Sequence, residues 1–276
     1  MASKLRLALI QSKVLLNKSS TLQNLSSLIK KACTQENKPD LICLPECFNT
    51  PYGHDYFAEY SEEIPGGITS QLISSLAREN SVSIVAGSIP EKRDGKIYNT
   101  SVVYDNAGSS IGNFSKLHLF DVNFTFIESD SLSSGNKLLD FTLGQFKIGI
   151  GICYDIRFPE LSLVYANKRG CNVLIFPGAF STTTGPAHWE LLARARALDT
   201  QSYVAVCSPA CDQTASYISH AHSMVVGPWG NILCNAGKEE TIVYADLTLE
   251  EINRVRQAIP TGKQRRLDIY TQPESI

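Results

Sequence analysis

Phe146-Lys147-Ile148-Gly149-Ile150-Gly151-Ile152 runs straight into Cys153-Tyr154-Asp155-Ile156-Arg157-Phe158-Pro159-Glu160. The first part alternates, which reads as a buried strand, and it stops at a thiol. A short polar turn comes next, and Pro159, suited to the first turn of a helix, opens the next element. A thiol on such a turn is presented to a ligand by backbone geometry, and the nearby helix N-terminus favours its thiolate. Taken alone, Cys153 is as readily a core residue; two other segments change that balance.

Working outward, strand patterns recur at 5–10, 41–44, 82–88, 101–104, 172–176, 202–207, 223–226 and 241–245. Several are apolar on both faces, as strands buried between layers must be. Helical periodicity occupies 19–33, 69–80, 159–169, 188–200 and 249–259, with Gly170 and Pro260 as stops. Asp105 to Gly108 reads as a hairpin turn, so the sheets are expected to be mixed rather than purely parallel. The predicted fold is α/β: two mixed sheets packed inside two helical layers, a four-layer α-β-β-α sandwich. Residues 1–260 form one domain and 261–276 a polar tail. Between Ser110 and Gly135 the chain is polar, carries Phe114, Phe120, Phe124 and Phe126, and lacks a clean period. It is expected to be a long functional loop, and it holds Lys116 and Glu128.

The 276 residues are 43% hydrophobic, enough for a large core without staples. A formal net charge of −2 offers nucleic acid little attraction, and Lys263-Gln264-Arg265-Arg266 reads as a solvated tail or a subunit contact. No apolar run is long enough to cross a bilayer, and the start at Met1-Ala2-Ser3-Lys4 leads straight into a strand pattern without a signal-like region. A cytoplasmic location is expected, with mitochondria left open. The five sequons at Asn17, Asn24, Asn99, Asn113 and Asn123 then carry no meaning. Eight cysteines invite a disulfide framework, but a reducing compartment argues against it. Cys43/Cys47 and Cys207/Cys211 lack the spacing of zinc knuckles, and no histidine has matching spacing.

Three segments combine acid, base and nucleophile: Leu44-Pro45-Glu46-Cys47-Phe48, Ser115-Lys116-Leu117-His118-Leu119-Phe120 and Gly151-Ile152-Cys153-Tyr154-Asp155. Glu46 and Cys153 each end a strand, the edge at which α/β sheets gather ligands. An amide carbonyl is a poor electrophile, so its hydrolysis profits from a held thiol. Cys153 would attack, and Glu46 would take the thiol proton and hand it to departing ammonia. Lys116 and the Tyr154 backbone N–H would stabilise the oxyanion, with Glu128 orienting Lys116 or the hydrolytic water. Spacing alone does not separate this scheme from a Cys–His pair using His118, His188, His220 or His222.

The three segments in this order resemble the Glu–Lys–Cys signature of the nitrilase (carbon–nitrogen hydrolase) superfamily. The likeness runs through nearly the whole chain. It is strongest to the omega-amidase branch, through Leu44 to Gly53, Lys116 to Asp121, Gly151 to Phe158, Phe176 to Phe180 and Thr184 to Glu190. The resemblance implies Glu46 as base, Lys116 as oxyanion stabiliser and proton donor, Cys153 as nucleophile and Glu128 as supporting carboxylate. It also implies the four-layer sandwich, a homodimer and no metal or organic cofactor. In relatives such a tail crosses to the partner subunit. Omega-amidases hydrolyse the terminal amide of 2-oxoglutaramate and 2-oxosuccinamate. Their substrates carry a carboxylate far from the amide, for which Arg157 offers a bidentate grip unless it pairs with Asp155 or Glu160. Tyr52, Phe180, Thr183 and Thr184 are expected to shape the pocket. The same machinery suits a nitrile, an N-carbamoyl amine or a deaminated-glutathione amide. An inactive interaction protein of this fold is the remaining alternative. No membrane partner is expected.

Overall fold

Leu5, Leu7 and Leu9 face one way along the first strand, and Ala8 and Ile10 the other. Both sets are buried, so this strand needs a layer on each side. The computed structural model describes residues 3–122 and 126–270, and it supplies both layers.

The first half of the chain contains β1 (Lys4–Gln11), α1 (Lys18–Cys33), β2 (Leu41–Cys43), α2 (His54–Tyr60), α3 (Ile68–Glu79), β3 (Ser83–Val85), β4 (Ile89–Arg93), β5 (Lys96–Tyr104) and β6 (Ser110–Ser115). Short strands β7 (Asp121–Val122) and β8 (Phe126–Ile127) come next, then β9 (Asp140–Leu143) and β10 (Phe146–Ile150). The second half adds α4 (Pro159–Leu163), β11 (Val173–Pro177), α5 (Gly185–Thr200), β12 (Tyr203–Cys207), β13 (Met224–Val226), β14 (Ile232–Asn235), β15 (Thr241–Thr248) and α6 (Leu249–Ala258).

Among the described residues, one sheet runs β15-β1-β2-β3-β5-β4, with β6 also on β5, and the other runs β14-β13-β12-β11-β10-β9. Each has a parallel centre, β1-β2-β3 and β10-β11-β12, and antiparallel flanks. Leu7, Leu9, Leu41, Cys43, Val85 and Val103 pack with the second sheet in one core, while Ala8, Ile10, Ile42, Ile84 and Val102 pack with α1 and α3 in another. The Cys207 thiol reaches the Cys43 carbonyl at 3.4 Å and so ties sheet to sheet. Trp189, Ala193 and Ala197 lay α5 on the outer face of the second sheet. The four-layer α-β-β-α sandwich expected from the sequence is therefore the observed one.

The corrections concern edges. Residues 110–135 are not one long loop. Ser110–Ser115 is strand β6, paired along β5, and Asp121–Val122 pairs with Phe126–Ile127. β6 is largely exposed at its start, so its period is not written in apolar residues. Phe124 and the Asn123 sequon lie outside the described residues, as do Met1, Ala2 and the end of the tail beyond 270. β14 is unmarked in the sequence for the same reason, and β4 because Pro90, Glu91, Lys92 and Arg93 make most of it polar or proline although its first three residues are buried. The helix expected over 159–169 begins as α4 and continues as a π-turn, Val164–Lys168, that ends at Gly170 with φ 74°. The hairpin turn is present: Gly108 N–H donates to Asp105 O at 3.0 Å, and the Asp105 carboxylate holds the amides of Ala107 and Ser109. No helix among the described residues is long and apolar enough to cross a membrane.

Candidate active site

Glu46, Lys116 and Cys153 each sit just past the C-terminal end of a strand. Glu46 succeeds β2 on a turn laid against the backbone of 87–88, where Ser88 N–H donates to Pro45 O at 3.1 Å. Gly87 makes that contact possible. It has φ 43°, and a Cβ there would stand 1.9 Å from the Pro45 carbonyl oxygen. Lys116 succeeds β6 and is pinned by its own N–H to Asn99 O at 2.8 Å. Cys153 lies beyond β10 and heads a 3-10 turn, Cys153–Arg157, with φ 48°. A side-chain-bearing residue in the left-handed region costs roughly 1–3 kcal/mol, and here the strain turns the thiol out of the sheet. Gly178 on the neighbouring strand end admits it, since a Cβ there would be 3.2 Å from Cys153 Cα. Asp155 holds the turn by accepting from Ile152 N–H at 2.9 Å.

These elements bring the three distant segments together. The Lys116 Nζ lies 3.1 Å from Glu46 Oε1 and 2.8 Å from Glu128 Oε1. Glu46 Oε1 also accepts from Asn99 Nδ2 at 2.9 Å, and Oε2 from the Ala179 amide at 2.8 Å. Glu128 takes the Tyr52 hydroxyl on one oxygen and the Phe120 amide, at 2.7 Å, on the other. The Cys153 thiol faces the Glu46 carboxylate and the Ala179 amide. Glu46, Lys116 and Glu128 are completely buried, and charges without water survive only when paired in this way.

Burial raises the Glu46 carboxyl above its ordinary range; Lys116 opposes the rise and Glu128 adds to it. Burial works against the Lys116 charge, but Glu128 and Glu46 outweigh it, so the ammonium is held well beyond its usual range. The Cys153 thiol is pushed well up, by burial first and then by the Glu46 carboxylate. This corrects the expectation of a helix N-terminus favouring the thiolate. Cys153 opens a 3-10 turn rather than a long helix, and desolvation beside a carboxylate dominates. Cys153 therefore rests as a neutral thiol.

The four candidate histidines have other partners. His118 Nδ1 is 2.7 Å from Asp155 Oδ1, and its ring stacks on Phe158 with centroids 3.6 Å apart. His188 Nδ1 meets Arg157 Nη1 at 3.2 Å. His220 and His222 stack on each other, at a centroid distance of 4.6 Å.

Two cavities adjoin the cluster. The smaller, about 10 Å³, is lined by Cys153, Tyr154, Arg157, Phe180 and Thr184. The larger, about 490 Å³, reaches Glu46 and Cys47. Tyr52, Ala179 and Tyr217 line both. Arg157 forms no ion pair with Asp155 or Glu160; Asp155 is engaged by Ile152 and His118. Its guanidinium lies over the Phe180 and Tyr154 rings, 4.9 and 5.7 Å from their centroids. The Tyr154 ring meets Phe120 edge-on at 5.1 Å. Tyr52, Phe180 and Thr184 line the smaller cavity. Thr183 does not: it is exposed, lines neither cavity, and its amide donates to Ser181 Oγ at 3.3 Å. Trp189 packs, with Nε1 donating to His222 O at 2.8 Å.

Sequence reading misses Asn99, the Ala179 amide, Ser181 and Tyr217. Asn99 carries a signal, since it is a polar residue between the apolar and β-forming residues of a strand; its place in a sequon says nothing of this role. Tyr217 lies in an irregular segment and carries none.

The sequence model of the family described as carbon-nitrogen hydrolase matches residues 6–257. A protein from Mus musculus named Omega-amidase NIT2 is 50% identical over 273 residues, covering 98% of each chain. The Homo sapiens protein of that name is 49% identical over 269 residues, covering 96% of each. Among solved structures, Saccharomyces cerevisiae Nit3, described as a member of branch 10 of the nitrilase superfamily, superposes with a TM-score of 0.89 at 43% identity. It covers 95% of this chain and 97% of its own.

Proposed function

Because this chain belongs to the carbon–nitrogen hydrolase family, and to its omega-amidase branch, we propose that it is an omega-amidase working through Cys153. The enzyme hydrolyses carbon–nitrogen bonds other than peptide bonds. Its substrates are 2-oxoglutaramate and 2-oxosuccinamate, which yield the 2-oxo dicarboxylic acid and ammonia. The observation that carries the mechanism is the buried Glu46–Lys116–Glu128 cluster with the Cys153 thiol facing Glu46.

Glu46 removes the thiol proton as sulfur attacks the amide carbon, and the raised affinity of its carboxyl for protons suits it to pass that proton to the leaving nitrogen. Lys116, permanently charged, stabilises the tetrahedral oxyanion together with the Tyr154 backbone N–H. Water then enters, Glu46 takes its proton, and the thioester is released as acid. Glu128 fixes Lys116 and, through the Phe120 amide and the Tyr52 hydroxyl, the neighbouring walls. Arg157 grips the distal carboxylate; the absence of an acidic partner for it among the described residues and its place beside Cys153 support this role. Tyr52, Phe180 and Thr184 shape the pocket. The proposal extends to one hydrolase domain over 1–260 with a tail at a subunit contact, and to a homodimer in the cytoplasm that binds no nucleic acid.

Ammonia release from 2-oxoglutaramate tests the core of this reading. Cys153→Ala is expected to abolish it without change in thermal unfolding, and undiminished release would end the proposal.

A further inference from the structure

We propose that His188 positions Arg157, fixing the rotation of its guanidinium so that one edge is free for a planar carboxylate, and thereby sets the preference for amides that end in a carboxylate. The inference rests on the reading of Arg157 above as the group that grips the distal carboxylate, and it deepens that reading.

Among the described residues the Arg157 guanidinium makes one hydrogen bond, from Nη1 to His188 Nδ1 at 3.2 Å. A guanidinium has donors only, so Nδ1 is the acceptor, and the imidazole carries its proton on Nε2. His188 in this contact is neutral and leaves the positive charge to Arg157.

Two rings share the task. The guanidinium carbon lies 4.9 Å from the Phe180 centroid and 5.7 Å from that of Tyr154. An aromatic face attracts the cation without choosing its rotation. A hydrogen bond along one N–H does choose it, because the N–H bonds of a guanidinium lie in its plane. With Nη1 turned to His188, the donors on Nε and Nη2 are left as the fork for two carboxylate oxygens.

The mounting behind His188 is firm. The residue lies near the start of α5, where its N–H donates to Thr184 O at 2.9 Å. Its neighbour Trp189 is buried and donates to His222 O at 2.8 Å. Further along α5, Arg196 Nε donates at 3.0 Å to the carbonyl of Ile156, the residue before Arg157. The helix thus holds this turn twice, at the backbone beside Arg157 and at the tip of its side chain. An arginine ordered before the substrate arrives loses less freedom on binding, and affinity gains accordingly.

The preference for a carboxylate is the readout, because a merely structural role would not move it. His188→Ala is expected to raise KM for 2-oxoglutaramate about fivefold, with kcat within about twofold of wild type, and to leave a neutral amide such as pentanamide unaffected. His188→Asn places an oxygen where Nδ1 stood and is expected to restore KM. His188 is exposed, so neither change opens the core. An unchanged KM for 2-oxoglutaramate in His188→Ala, equal losses on both amides, or no recovery in His188→Asn would each overturn the inference. Arg157→Lys, measured alongside, keeps the two readings apart. If it discriminates between the amides and His188→Ala does not, the positioning role falls while Arg157 remains the carboxylate group; if neither discriminates, both readings fall.

Discussion

Cys153 is not an activated thiolate waiting for substrate. Burial and the Glu46 carboxylate keep its proton on, so the proposed attack requires Glu46 to take that proton as the sulfur–carbon bond forms. Glu46 must be ionised to do so, and burial raises its carboxyl above the ordinary 4.5. The acid limb of kcat/KM is therefore expected to have a midpoint above that value, with activity rising as pH rises through it. Glu46→Gln should remove both limb and activity; a limb that persisted at the ordinary carboxylate position would contradict the assignment. Arg157 makes a second case. A lysine keeps its charge but not the planar fork, so Arg157→Lys should cost about tenfold or more in kcat/KM on 2-oxoglutaramate and much less on a neutral amide. Equal losses on both would show that Arg157 does not grip the carboxylate.

Between residue and molecule, the decisive unit is the strand end. β2, β6 and β10 deliver Glu46, Lys116 and Cys153 to one place, and turns of unusual backbone aim them. Cys47 and Cys153 both have φ 48°, one directly after the base and one at the nucleophile. Asp155 couples two of these units, accepting from Ile152 in the nucleophile turn and from the His118 amide, at 3.0 Å, in the lysine segment. Gly87 supports the third. A methyl group there meets the Pro45 carbonyl, so Gly87→Ala should destabilise the protein by about 1–3 kcal/mol or more, read by urea denaturation, and displace Glu46 enough to reduce kcat. Unchanged stability would mean that the turn before Glu46 yields freely. Element by element, strands buried on both faces are readable, because β11 and β12 are apolar and buried throughout and β1 and β10 along most of their length. Edge strands β6 and β14 are not, since solvent on one side removes that requirement, and neither is β4, most of which is polar or proline.

The whole molecule holds an unusual set of buried protons. Burial lifts the thiols of Cys43, Cys47 and Cys153 well above 9.0 and the phenols of Tyr52 and Tyr217 well above 10.0, while the Lys116 ammonium is held beyond 10.5. Each group binds its proton more tightly folded than unfolded. Their contribution to stability is complete below the unfolded values, declines above them and is lost as pH rises through the raised folded values. The melting temperature at about pH 10.5 is thus expected to lie several degrees below that at about pH 8. A flat profile would show these groups to be solvated. The same fold leaves Glu46, Lys116 and Glu128 no exposure.

Read alone, the amino-acid order determined the layered α/β class and offered Glu46, Lys116, Glu128 and Cys153 beside four histidines, because periodicity and residue chemistry are local properties; the resemblance to the nitrilase superfamily chose among those candidates. Folding decided what depends on distance through space: that Asn99 and the Ala179 amide hold the Glu46 carboxylate, that Asp155 and not Cys153 takes His118, that Thr183 turns away from the pocket, and that Tyr217 lines both cavities. Those outcomes rest on desolvation and on atoms within hydrogen-bonding reach, and neither exists until segments remote along the chain are packed together.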